Sequence, residues 1–447
     1  MSTSSLPQPL LSSSGVILRG TVTPPGDKSI SHRAIMLGGI AGGETTIHGL
    51  LEGEDVLCTV GALRALGATI TKTPDNVWQV KGIRLADAHA PQHPLDMGNS
   101  GTAARLLMGL VSGLPFATRF TGDASLSKRP MKRVIDPLSQ MGAVFNSTDG
   151  RMPLEVVGTT GLKPITYKLP VASAQVKSAI LLAGLSVDGE TTVIETAPTR
   201  DHSENMLRHF GATVRVIKQA DGSDAITIVG RPTLTGQTIV VPADPSSAAF
   251  PLIAAILNEG SEVVLRNVGI NPRRAGIIET LMEMGADITL SNRRDESGEP
   301  VADLIVRGSR LHGIDVPAER APSMIDEYPV LSVAAACASG TTRMRGLGEL
   351  RVKESDRLAL MAEGLMASGA RVEIDGDDLI VHGTGHPPQG GCTIRTAMDH
   401  RIAMSFLVLG TVSEQPISVD DGAFIATSFP NFVGMMNGLG CKIGISA

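Results

Sequence analysis

The chain has 447 residues, a net charge of −6 and only 3% aromatic residues, with one Trp and two Tyr. That length exceeds one ordinary hydrophobic core, so two domains are expected, while the charge and the scarcity of rings argue against a nucleic-acid surface. Four scattered cysteines (Cys58, Cys337, Cys392, Cys441) show no metal-type spacing and point to reduced thiols and a cytoplasmic location. No uncharged stretch reaches the roughly 20 residues of a membrane span, so no membrane partner is expected.

In chain order, the first fourteen residues are Ser- and Pro-rich, lack Arg, and read as a frayed tail rather than a targeting segment. TPPGDK (23–28) then marks a crossover, because Pro fixes its own φ and restricts the residue before it. Gly26-Asp27-Lys28-Ser29-Ile30-Ser31-His32-Arg33 leads into a long uncharged stretch. The same outline returns near Gly98 (GNSGTAARLLMGLVSG), Ala172 (ASAQVKSAILLAGL), Asp244 (DPSSAAFPLIAAIL), Pro322 (PSMIDEYPVLSVAAACASG) and Ala397 (AMDHRIAMSFLVLG). The spacing is roughly 70 to 80 residues, the mark of a repeated unit. A helix this apolar is buried, and its N-terminus offers free N–H groups and a positive dipole end to anions.

A second marker keeps register with the first. An apolar-x-x-apolar pattern ends at Gly67, Gly142, Gly211, Gly285, Gly369 and Gly440, each followed by an alternating, strand-like run. Each glycine stands where a helix ends in a residue of positive φ. Six units divide most simply into three and three, with the second crossover at VPADPSS (241–247). One domain is then 26–242. The other is discontinuous, 1–25 with 243–447, and the active site is expected in the cleft between the two.

Chemistry concentrates at the helix starts. Ser29 and Arg33 stand four apart and can face one ligand with Lys28, although a capped helix with two solvated cations fits that segment equally well. In RVKESDR (351–357), Lys353 and Arg357 are expected on one helix face with Glu354 beside them, which suits an anion site better than a plain surface helix. Asp326 and Glu327 interrupt the apolar run of the fifth unit, as dipole partners, as a base, or as ligands for hydroxyl groups. Arg401 takes the corresponding place in the sixth unit. Arg129 in KRPMKR and Arg200 in RDHSE open the second set of helices, and Ser173 and Gln175 offer neutral hydrogen-bonding groups. His32, His202 and His400 form no HxH or HExxH spacing, so no metal is expected.

GDKSISHR, NSGTAAR, SAQVK, SMIDEYP, RVKESDR, DHRIAMSF and ATSFP, in this order, resemble the 5-enolpyruvylshikimate-3-phosphate synthase family from about residue 15 to the end of the chain. SAQVK and RDHSE resemble its class II branch, known for glyphosate-tolerant members. The resemblance implies a two-domain inside-out α/β barrel of six βαβαββ repeats, three per domain. It also implies transfer of the enolpyruvyl group of phosphoenolpyruvate to the 5-hydroxyl of shikimate 3-phosphate by addition and elimination, with no cofactor, in a monomer. Glyphosate is then expected as a competitive inhibitor.

Carried over by position, the resemblance implies that Lys28 contacts both substrates. Ser29, Arg33, Ser173, Ala174, Gln175, Arg200, Asp326 and Lys353 would hold shikimate 3-phosphate. Asn99, Gly101, Arg129, Gln175, Arg357 and Arg401 would hold phosphoenolpyruvate. Asp326 would be the base toward the 5-hydroxyl and Glu354 the proton donor to the methylene carbon, with Lys28 as a third catalytic group. Two positions depart from the class II pattern: Asn271-Pro272-Arg273-Arg274 replaces Asn-x-Thr-Arg, and Gly101 stands where strongly tolerant relatives carry Ala. The related UDP-N-acetylglucosamine enolpyruvyl transferases use a Lys-Asn pair near the start and a loop cysteine. Here Ser29 follows Lys28 and no Cys lies near Arg129. A ligand-binding paralogue without activity would be expected to lose Asp326, Glu354 or an Arg clamp, and all are present.

Overall fold

The computed structural model describes residues 7–446. The chain forms two compact units. One comprises 26–242 with 295–299. The other comprises the N-terminal residues to 25, then 243–294 and 300–447. The first is called here the 26–242 unit and the second the 243–447 unit. Residues 295–299 are the tip of a hairpin whose strands, Asp287–Glu296 and Glu299–Arg307, begin and end in the 243–447 unit. Nothing in the sequence pattern marks that tip as belonging to the other unit.

Each unit contains three four-stranded sheets and a separate apolar core. All six sheets share one order. In the second repeat, Leu95–Asp96 lies parallel to Ala117–Thr121, which pairs antiparallel with Leu154–Val157, and Val144–Ser147 closes the edge. A helix follows each of the first two strands, giving βαβαββ. Thirteen α-helices are described: α1 Lys28–Ile40, α2 Glu54–Ala65, α3 Gly101–Ser112, α4 Lys132–Met141, α5 Ala174–Gly184, α6 His202–His209, α7 Pro245–Leu257, α8 Gly276–Glu283, the single turn α9 Ala321–Met324, α10 Tyr328–Cys337, α11 Arg357–Ala367, α12 His400–Gly410 and α13 Phe432–Leu439.

The buried helices are α1, α3 and α5 in one unit and α7, α10 and α12 in the other, as their predominantly apolar sequences require, with any charge confined to the first two turns. With helices inside and sheets outside, this is the inside-out α/β barrel, its βαβαββ repeat present six times. The second helix of each repeat ends at the expected glycine, and all six adopt positive φ, from +91° at Gly369 to +115° at Gly67 and Gly440. A side chain there would be strained, which is why one residue type punctuates every copy.

One expectation is corrected at the N-terminus. Leu10–Ser13 is a strand, antiparallel to Ile417–Val419 on one side and to Lys442–Ile445 on the other. It is the last strand of the sixth repeat, supplied from the start of the chain. The frayed-tail reading therefore fails from residue 10 onward, while residues 1–6 lie outside the described residues.

Inside the 26–242 unit the buried helices touch closely. A Cβ on Gly109 of α3 would fall 2.1 Å from the carbonyl oxygen of Ala179 on α5, so glycine sets the distance between them. Gly109→Ala should force the two helices apart and cost at least about 1–3 kcal/mol of stability, measured as a lowered urea midpoint with an unchanged denaturant slope.

Candidate active site

In the 26–242 unit, expected site residues sit at the first position of each buried helix: Lys28 on α1, Gly101 on α3 and Ala174 on α5. Asp27, Ser100 and Ser173 cap these helices, accepting from the main-chain N–H of Ile30, Ala103 and Val176. The caps leave the neighbouring side chains free to point past the helix end. Lys28 is ion-paired with Asp55 of α2.

Arg129 precedes α4 and donates to the side chain of Asn99 at 2.6 Å and to Ser125 at 3.1 Å, while Asn99 donates in turn to Asp123 at 2.7 Å. Gln175 accepts from Arg105 at 2.8 Å and donates to Thr102 at 3.1 Å. Arg105 was overlooked in the sequence reading although it lies in the quoted NSGTAAR. It stands one helical turn after Gly101, and a Cβ on Gly101 would meet its guanidinium at 2.7 Å and that of Arg129 at 3.4 Å. Gly101 thus leaves room for two cations.

Arg33 is buried on α1. Its Nε donates to Ser203 and one Nη to Ser178, both at 2.7 Å, and the other Nη donates to the Ser29 carbonyl at 2.9 Å. Burial pushes its pKa down to about 10, and the cation of Arg200 adds to that push against nearby carboxylates. Burial holds His32 well below the usual imidazole range, and Lys28 and Arg33 add to it. Burial likewise lowers His400 to about 3. At His202 burial also acts downward, but the Glu299 carboxylate 2.8 Å away leaves the net shift upward.

In the 243–447 unit the expected helix across RVKESDR is corrected. A 3-10 turn, Gly348–Val352, ends at Lys353, and α11 begins only at Arg357, capped by Asp356. Lys353 and Glu354 therefore lie in the bend before the helix, from which Glu354 pairs with Arg357 three residues on and Lys353 reaches Asp326. Asp326 and Glu327 likewise precede α10, whose first turn carries Pro329.

Arg357 is the centre of this half. Only 1% of its side chain is exposed, and its guanidinium meets Glu354 at 2.6 Å, Asp399 at 2.8 Å and Asp326 at 3.3 Å. Lys353 reaches Asp326 at 3.5 Å, and Arg401 donates to the Asp326 carbonyl at 3.1 Å. Burial opposes charge on Arg357, yet Asp399, Glu354 and Asp326 together raise its pKa. The structure thus gathers Asp326, Lys353, Glu354, Arg357 and Arg401 and adds Asp399, which the sequence reading quoted in DHRIAM without a role. Behind them, buried Glu327 accepts from Arg274 at 3.0 Å and from Ser246, and Arg274 also donates to Asp244 at 2.8 Å. The departure at 271–274 therefore keeps the arginine that this contact uses.

Asp399 should carry measurable stability. Burial alone would raise its carboxyl, but Arg357 holds it below the ordinary 3.8. A folded pKa below the unfolded one gives stability that is complete above about pH 4 and lost as the pH falls through the folded value. Asp399→Asn should cost about 1.5–3 kcal/mol near neutral pH, the worth of a hydrogen bond to a charged group. Chemical denaturation at pH 7 and at successively lower pH should show that gap to wild type closing.

Comparison with known proteins gives the class first. The enolpyruvyl transferase NikO from Streptomyces tendae matches with a TM-score of 0.79 at 18% identity, each chain covered over 99% of its length, a likeness of fold alone. The EPSP synthase from Acinetobacter baumannii matches with a TM-score of 0.88 at 46% identity, covering 98% of this chain and all of that one. The family model described as EPSP synthase (3-phosphoshikimate 1-carboxyvinyltransferase) matches residues 13–436. Proteins named 3-phosphoshikimate 1-carboxyvinyltransferase are 64% identical over 437 residues in Paramagnetospirillum magneticum and 58% identical over 447 residues in Methylorubrum extorquens. Those alignments cover 98% and 99% of both partners. The chain belongs to the EPSP synthase family, and its reaction is the enolpyruvyl transfer to shikimate 3-phosphate in the shikimate pathway.

Proposed function

We propose that the two groups of residues serve one substrate pair, with the 26–242 unit contributing most of the shikimate 3-phosphate contacts and the 243–447 unit the proton transfers. The observation that carries this reading is the single guanidinium of Arg357 holding both Asp326 and Glu354. A base toward the 5-hydroxyl and an acid toward the methylene carbon must act on two atoms bonded to the same carbon of one adduct, and a shared cation holds both carboxyl groups close to it. Lys28, Ser29, Arg33, Ser173, Ala174, Gln175, Arg200, Asp326 and Lys353 bind shikimate 3-phosphate. Lys28, Asn99, Gly101, Arg129, Gln175, Arg357 and Arg401 bind phosphoenolpyruvate, whose carboxylate and phosphate suit planar guanidinium forks.

Protonation of the phosphoenolpyruvate methylene by Glu354 makes the adjoining carbon electrophilic. The shikimate 5-hydroxyl attacks that carbon as Asp326 takes its proton. The tetrahedral adduct then returns a methyl proton to the Glu354 carboxylate as its C–O bond to phosphate breaks, the phosphate carrying off the proton held by Asp326, and the enol ether is restored. Lys28 and the arginines stabilise the phosphate as it departs. Asp326→Ala and Glu354→Gln should each lower turnover about a hundredfold or more, followed as phosphate release in the presence of shikimate 3-phosphate. Binding of shikimate 3-phosphate should survive better in Glu354→Gln, and near wild-type turnover in that variant would remove Glu354 from the role.

The protein works as a cytoplasmic monomer in this reading. Its four cysteines are free thiols, and among the described residues no helix is long and apolar enough to cross a membrane. Glyphosate, with a carboxylate and a phosphonate, competes with phosphoenolpyruvate for the same arginines. In Gly101→Ala the new methyl would displace the Arg105 guanidinium and come into contact with that of Arg129. The crowding should cost the longer inhibitor about 1–3 kcal/mol and the substrate less. The ratio of the glyphosate inhibition constant to the phosphoenolpyruvate KM should rise roughly tenfold; an unchanged ratio would rule out steric exclusion at this position.

A further inference from the structure

The Lys of SAQVK and the Glu of RDHSE find a joint use in the structure. Lys177 on α5 has no exposed surface and pairs with Glu204 of α6 at 2.7 Å and with Glu195 at 3.1 Å. Thr199 donates to the same Glu195 oxygen at 2.7 Å. The residues next in sequence, Ser178 after Lys177 and Ser203 before Glu204, are the two that accept from Arg33. They are also hydrogen-bonded to each other at 2.7 Å. Guanidinium and two hydroxyls thus close a ring, in which each serine accepts from the arginine and one gives its own proton to the other.

We propose that Ser178 and Ser203 form an uncharged cradle for the Arg33 guanidinium, and that the buried Lys177–Glu204 pair fixes this cradle so that Arg33 presents an unneutralised positive charge to shikimate 3-phosphate. The inference rests on the reading of Arg33 as a shikimate 3-phosphate residue. Among the described residues no carboxylate comes within the 4.0 Å of an ion pair with Arg33. A carboxylate would hold the guanidinium more strongly, but it would cancel the charge that attracts an anion. Serine oxygens fix the orientation and leave the charge intact, with an N–H to spare on each terminal nitrogen.

Lys177, Glu195 and Glu204 together carry one net negative charge. Glu204 acts on Arg33 from beyond contact distance and favours its protonated form. The cluster thereby steadies a cation in a buried place without occupying its hydrogen-bonding face. The same ion pair ties α5 to α6 one residue away from the two serines, so their spacing is set by charge rather than by hydroxyl contacts alone. Ser178, Ser203, Lys177 and Glu204 are positioning residues in this scheme.

The test is a set of double-mutant cycles on the full chain, read by calorimetric titration with shikimate 3-phosphate and by the phosphoenolpyruvate KM. Arg33→Ala should weaken shikimate 3-phosphate binding roughly 30-fold or more. Ser178→Ala, Ser203→Ala and Glu204→Gln should each weaken it about 5- to 10-fold, with the phosphoenolpyruvate KM changed less than about twofold. Placed in the Arg33→Ala background, the same three changes should lose their effect, because they act through Arg33. Ser203→Asp, which keeps an acceptor but adds a negative charge, should also weaken shikimate 3-phosphate. The small serine variants keep the test open should Glu204→Gln fail to fold. If Arg33→Ala weakens binding but the cradle variants do not, or if their effect persists undiminished without Arg33, the inference is overturned. An affinity unchanged by Ser203→Asp would overturn the claim that neutrality matters. If Arg33→Ala itself leaves shikimate 3-phosphate binding intact, the assignment of Arg33 is what fails, and the inference with it.

Discussion

Six helices that are apolar beyond their first two turns must be buried, and that constraint organises the rest of the molecule. Three fill the interior of each unit, so sheets must lie outside them, and each sheet repeats one strand order because each repeat meets the same packing problem. A fully buried helix has only its ends for polar chemistry. The N-terminal ends carry unpaired N–H groups and a positive dipole, so anionic substrates and the side chains that bind them collect there. Lys28, Gly101 and Ala174, each the first residue of its helix, show the same solution used three times.

Two buried arginines illustrate opposite treatments of one functional group. Arg357 lies among Asp326, Glu354 and Asp399, and its charge is spent on holding carboxylates in place. Arg33 lies between two serines and keeps its charge. A guanidinium among carboxylates holds them in place, whereas one held by neutral acceptors keeps its full charge for an anion. Sequence alone does not separate the two, since both occur in short basic motifs at helix starts.

The repeat, the buried helices and the six glycine stops were legible because they depend on local composition and on backbone conformation that few residues adopt. Residues within one motif were legible for the same reason. What was not legible rests on contacts between distant segments. Asp399 lies 42 residues from Arg357, Arg105 lies 70 from Gln175, and Ser203 lies 170 from Arg33; no periodicity connects such pairs. The helix expected across RVKESDR failed for a related reason. Cations spaced four apart suggested one face, but Asp356 caps the helix at its own position, and the bend before it is set by Arg357 reaching three carboxylates.

The strand Leu10–Ser13 gives the chain an order of assembly. It sits between Ile417–Val419 and Lys442–Ile445, so this early strand waits for the sixth repeat before either of its edges is paired. The 26–242 unit lacks only residues 295–299 once its own span has been made. During synthesis that unit gathers its core early, while the other carries an unpaired strand through more than four hundred residues of elongation. A nascent chain of this design elongates with a strand whose two edges only the sixth repeat can cover.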